Sequence, residues 1–169
     1  MSVHEHVYIG VSPLGGNGVF VSAEGGLQPN EAITIYPGMY RKILSKPHAA
    51  PLKYSVTINS QFFPPLEEHE EWIIDACKLR YSTVDGIGHL INSSHPALPT
   101  PYNSNNCILV EEQWEEHVYE HRPPLVFVVT TSIIPMGGEL LVDYHWLLNG
   151  LTSNITSKLL HCVCDKCSV

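Results

Sequence analysis

The sequence predicts a mostly-β fold, and three observations predict it. Short runs rich in Val, Ile, Thr and Tyr recur along the whole chain. Turn signals separate them, and the 13 Pro and 12 Gly supply those signals. No segment sustains the apolar period that a helix needs, so many short strands with few short helices is the architecture expected.

The elements follow in order. HVYIGV (6–11) and GVFVS (18–22) read as strands, and the SPLGGNG between them as a glycine-rich bend, which together predict a hairpin. A loop leads to the strand AITIYPG (32–38). The stretch Met39 to Ala50 is ambiguous and Pro47 interrupts it. KYSVTI (53–58) and EWIIDA (71–76) read as paired strands around a loop that carries Phe62, Phe63, Pro64 and Pro65. LVFVVTTSII (125–134) is the longest β-branched run, which predicts a central buried strand, and ELLVDY (139–144) is a further one. Neither repeats nor low-complexity tracts occur.

At 169 residues, 44% of them apolar and 15% charged, the chain fits one folded domain that can bury a core without disulfides. No run approaches a membrane span, and MSVHEHVYIG lacks the pattern of a signal peptide, so an intracellular protein is expected. The net charge of −8 disfavours direct nucleic-acid binding and suits basic partners. The acidic groups cluster at Glu67, Glu68, Glu70 and Glu71 and at Glu111, Glu112, Glu115 and Glu116. They are either two solvated turns or a surface that steers a Lys/Arg-rich peptide.

Four segments stand out in one order: GGNGVF (15–20), WIIDA (72–76), GHLIN (88–92) with SSH and then SNNC (104–107), and IIPMGGELLVDY (133–144), with HCVCDKC behind them. Each is weak alone. Together they resemble the SET-domain family of protein lysine methyltransferases. The resemblance implies small curved sheets with a knot-like C-terminal crossing. It also implies that cofactor and peptide enter from opposite sides of a narrow channel. On this reading residues 1–150 form the SET domain, with a variable insert over 39–70, and 151–169 form a post-SET-like cysteine tail.

The resemblance also implies the site. GGNGVF is similar to a cofactor-contacting glycine turn, so Gly16, Asn17 and Gly18 are candidates, where glycine lets a backbone approach a ligand; a plain hairpin turn is the rival reading. GHLINSSH is similar to the family's Arg-Phe-Ile-Asn-His-Ser-Cys. It keeps Asn92, whose amide can offer donor and acceptor to the cofactor's amino-acid end. His89, Leu90 and Ser93 join it as candidates, Ser93 standing where the family has His. GGELLVDY aligns Tyr144 with the tyrosine that closes the methyl-transfer channel. Such a channel aligns a neutral amine with an electrophilic methyl, strips its water and surrounds the developing charge. Tyr54 and Trp72 are candidate channel aromatics, or else core residues. Val142, smaller than the Phe or Tyr usual there, leaves room for more than one methyl.

Cys162, Cys164 and Cys167 resemble post-SET cysteines that bind zinc. The fourth ligand implied is His95, standing where the family has Cys, with Cys107 and His161 as rivals; a reducible thiol tail is the alternative. The implied function is S-adenosylmethionine-dependent methylation of a lysine in a basic peptide such as a histone tail. A SET-fold binding module without catalysis is the alternative. No membrane partner is expected, and the oligomeric state stays open.

Overall fold

Residues 12–16 fold into a closed turn: the Ser12 amide donates to the Gly16 carbonyl and the Gly15 amide to the Ser12 carbonyl, both at 3.0 Å. Gly16 there has φ of 69°, in the left-handed region that favours glycine. The turn joins β1 (Val7–Val11) to β2 (Asn17–Val21) in antiparallel register, Gly10 opposite Gly18. The expected hairpin is therefore present. The computed structural model describes residues 5–44, 54–58, 70–79, 86–111 and 125–143.

The other strands are β3 (Ala32–Ile35), β4 (Met39–Leu44), β5 (Ser55–Ile58), β6 (Glu70–Asp75), β7 (Asn92–Ser93), β8 (Cys107–Glu111), β9 (Val126–Thr130) and β10 (Leu141–Val142). Two 3-10 turns, Cys77–Leu79 and Gly88–Leu90, are the helical elements among the described residues. The chain is mostly β and divides into several small sheets. One has five strands in the order β3-β9-β8-β10-β7, and another has three in the order β4-β6-β5.

The paired strands expected around residues 53–76 are β5 and β6, in antiparallel register. The ambiguous stretch after Met39 begins as β4, an edge strand on β6, with Arg41–Asp75 and Lys42–Glu70 ion pairs across the pairing. The long β-branched run is shorter as a strand than its composition suggests. β9 sits inside the five-stranded sheet but stops at Thr130, and residues 131–133 are exposed. Ile134 then turns back to bridge Leu27. β8, which begins in the SNNC segment, has no strong signal of its own in the sequence.

Residues 137–142 connect the hairpin to the five-stranded sheet. Gly137 donates to the Val21 carbonyl, Val21 to Gly138 and Leu140 to Val19, at 2.8–2.9 Å. The chain then enters the sheet as β10, parallel to β7 and β8. Two apolar clusters lie behind this framework. Val19, Val21, Leu27, Ile91, Cys107, Val128, Leu140 and Val142 belong to one; Tyr36, Val56, Ile58, Ile74 and Val126 belong to the other. Leu109 packs against both. No helix among the described residues is long and apolar enough to cross a membrane.

Candidate functional site

Three of the segments singled out above meet at one carboxylate. Glu139 follows the Gly137–Gly138 turn and bridges Phe20 of β2, which sets its side chain between the glycine turn and β7; it is 7% exposed. The Ser12 hydroxyl donates to Glu139 Oε2 at 3.0 Å, and Asn92 Nδ2 donates to Oε1 at 2.8 Å. Asn92 Nδ2 also donates to the Asn17 carbonyl at 3.1 Å. Ser12 Oγ in turn accepts the Leu14 amide at 3.0 Å, so the carboxylate holds the glycine turn through its own local hydrogen bond.

This network gives Gly18 a reason to be glycine. A Cβ built there collides with Glu139 Oε1 and comes within 3.1 Å of Asn92 Nδ2. Gly16 differs: its need is conformational, and nothing lies within 4 Å of a built Cβ. Asn17 is exposed at the start of β2. The Glu139 carboxylate beside β2 thus explains the absence of a side chain at Gly18. Ser12 and Glu139 escaped the sequence reading. Their only signal was position, Glu139 inside GGELLVDY and Ser12 just ahead of the glycines.

Asn106 anchors the same segment from the other side. Its Nδ2 donates to the Glu139 carbonyl at 2.8 Å, and its Oδ1 accepts the Leu141 amide at 2.8 Å. Half-buried Ser93 donates its hydroxyl to the Ser94 carbonyl at 3.1 Å, and Leu90 packs on the first apolar cluster. Val142 is 1% exposed and belongs to that cluster.

The candidate aromatics lie around the second cluster. Tyr54 and Trp72 are half-buried and pack against it. Tyr54 has φ of 57°, a strained conformation for a bulky side chain. Its ring meets His89 edge-on, with centroids 6.2 Å apart. His89 is 3% exposed and neither ring nitrogen completes a hydrogen bond. Burial pushes its imidazole below the ordinary 6.5, and the nearby Leu79 backbone opposes this only in part. Tyr54 and Trp72 thus share one apolar cluster, whereas Tyr144 and Leu160, which on the SET resemblance stands where an aromatic often caps the cofactor, lie outside the described residues.

Among the described residues no group of three or more His, Cys, Asp or Glu side chains is arranged to hold a metal. Cys162, Cys164, Cys167 and His161 lie outside them. His95 Nδ1 accepts the Ala97 amide at 3.1 Å. An accepting Nδ1 leaves the ring proton on Nε2, so in this geometry neither nitrogen offers zinc a lone pair. Cys107 is fully buried and burial pushes its thiol up to about 12, which disfavours the thiolate that zinc requires. Neither described candidate for the fourth ligand fits zinc as it stands.

No protein-family profile and no curated protein matches the chain. Among solved structures, the chain is similar to a Plasmodium falciparum protein provisionally designated a histone methyltransferase. The two are 19% identical, the match covers 83% of this chain and 94% of the other, and the TM-score is 0.45. At that identity and score the likeness does not assign a family.

Proposed function

We propose that this chain binds S-adenosylmethionine and transfers its methyl group to a lysine side chain of a basic protein. The observation that carries this reading is the meeting at Glu139. The glycine turn, Asn92 and the GGEL segment are far apart in sequence, yet hydrogen bonds join them in one place. These are the segments from which the SET resemblance was read, and their convergence is what a shared ligand site needs.

The residues suit one end of this cofactor. Asn92 Oδ1 receives no hydrogen bond from a described residue and is available to a donor on the ligand. When bound, the cofactor supplies an electrophilic sulfonium methyl. The chain's own part is to orient the ligand at the glycine turn, exclude water and admit the lysine amine uncharged, and the SET resemblance gives Tyr144 the role of closing the methyl-transfer channel. The net charge of −8 suits a basic substrate.

Isothermal titration of S-adenosylmethionine into the purified chain tests the reading, with methyl transfer to basic peptides as the second step. Micromolar binding that Asn92→Ala weakens, and transfer that Tyr144→Phe abolishes, are expected. A folded protein that binds no cofactor at millimolar concentration sinks the enzyme reading. One observation favours the binding-module alternative: both Asn92 amide hydrogens are already used within the protein.

A further inference from the structure

Among the described residues, neutral groups alone hold the Glu139 carboxylate. The carboxylate is 7% exposed, and its described partners, the Ser12 hydroxyl and the Asn92 amide, are both neutral. The ion pairs Arg41–Asp75 and Lys42–Glu70 do not include Glu139. A buried carboxylate held only by neutral donors favours a cation brought in by a ligand.

The same carboxylate decides which way Asn92 faces. A carboxamide has two donor hydrogens on nitrogen and an acceptor oxygen. Here the nitrogen sits between two acceptors, Glu139 Oε1 at 2.8 Å and the Asn17 carbonyl at 3.1 Å. Turning the amide over would set its oxygen against both and exchange two hydrogen bonds for two oxygen–oxygen oppositions. The amide is therefore locked with its oxygen as the group left for a ligand.

We propose that Glu139 is a positioning residue which fixes the Asn92 amide and makes the site selective for a ligand that presents an ammonium group, not a carboxylate, to Asn92. Ser12 has the supporting role of holding the other carboxylate oxygen. The inference rests on the methyltransferase reading, because the ligand taken is the amino-acid end of S-adenosylmethionine. It adds to that reading a residue, an orientation and a ligand chemistry.

The test compares S-adenosylmethionine with its deaminated analogue, the same sulfonium lacking the α-amino group. Titrations use the full chain, with thermal melts as fold controls and the Asn92 side-chain amide followed by nitrogen-edited NMR. Wild type is expected to prefer the amino form by about tenfold or more, since the analogue leaves the Asn92 oxygen unpaired. Glu139→Gln keeps the shape of the network but removes the charge, and its own amide can donate to a turned-over Asn92. It should erase most of that preference, chiefly by weakening binding of the amino form. Ser12→Ala, a milder change, should reduce the preference in the same direction. Both Asn92 amide protons should exchange slowly in unliganded wild type, a readout that needs no variant to fold. Equal binding of the two ligands by wild type overturns the proposal and leaves the methyltransferase reading standing. An undiminished preference in Glu139→Gln, or fast exchange of the Asn92 protons, overturns it as well. Binding of neither ligand by folded wild type overturns both readings together.

Discussion

Asn106 holds Leu141 by both halves of its backbone: its side-chain oxygen accepts the Leu141 amide at 2.8 Å and its own amide donates to the Leu141 carbonyl at 3.0 Å. The remaining side-chain nitrogen reaches the Glu139 carbonyl. A single carboxamide thus fixes the path from Glu139 into β10. Asn106→Ala removes two side-chain hydrogen bonds at a half-buried site and should cost about 1–3 kcal/mol. Asn106→Asp keeps the acceptor, loses the donor and sets a charge against the Glu139 carbonyl, so it should not rescue. Urea denaturation of both, against Asn103→Ala at an exposed turn position, checks this; a loss no larger than that of the control would count against the clamp.

The two glycines of the turn should fail in different ways. Gly18→Ala pushes a methyl into Glu139 and Asn92, which are themselves tied down. Overpacking of this kind costs about 1–3 kcal/mol, and ligand affinity should fall with it. Gly16→Ala has open space but keeps φ near 69°, at a cost of about 1–2 kcal/mol. It leaves the carboxylate network intact, so cofactor affinity should fall less than in Gly18→Ala at temperatures where the variant is folded. Melting curves and titrations on the pair separate strain from disruption. Similar affinity losses in both would mean that Glu139 does not set the site.

The hairpin was legible because its alternation and its glycines agree, and β5 and β6 because each is a compact apolar run. β4 was not, because its strand state comes from a partner. Met39–Leu44 has half its residues polar or charged and is held by β6, where Asp75 and Glu70 meet Arg41 and Lys42. Residues 131–133 show the opposite error. Their composition continues the strand, but the chain leaves the sheet so that Ile134 can reach Leu27. The site was half legible. The motif order pointed to the glycine turn and to Asn92, whereas the Ser12–Glu139 contact joins residues 127 positions apart. No local spacing announces it, since burial and tertiary approach create it.

His89 gives the protein a pH dependence whose direction follows from its burial. Its folded imidazole titrates below the ordinary 6.5, so the unfolded chain binds this proton more readily. Stability from this group is whole above about pH 6.5 and declines as pH falls below that, until the folded form also protonates. Replacing a ring with two unpartnered nitrogens by an apolar side chain of similar size removes both effects. His89→Leu should flatten the pH dependence of unfolding in that window and leave stability at pH 7.5 unchanged or raised. Denaturant midpoints across pH 5 to 8 check this; a variant that keeps the wild-type slope, or loses several kcal/mol at pH 7.5, would show that the imidazole has a partner worth keeping.

Cys107 is fully buried at the head of β8, packed in the first apolar cluster with Val142 opposite it in the sheet. Burial pushes its thiol up to about 12, opposed in part by the Leu141 backbone, so at neutral pH the reactive thiolate is scarce as well as inaccessible. In the native protein a thiol reagent at pH 8 should leave Cys107 unmodified over hours, and denaturant should expose it to stoichiometric labelling, both read by peptide mass spectrometry. Cys107→Ala should cost about 1 kcal/mol for the lost sulfur, within the usual range for point variants. Cys107→Ser should cost more, because a hydroxyl would be buried in an apolar cluster. Zinc content provides the sharper test of its role. If the C-terminal cysteines bind the metal, Cys107→Ala should retain the same zinc stoichiometry as wild type, because a protonated, core-packed thiol cannot be the missing ligand. Loss of zinc in that variant, with the fold intact, would mean that the core opens to release Cys107 to the metal.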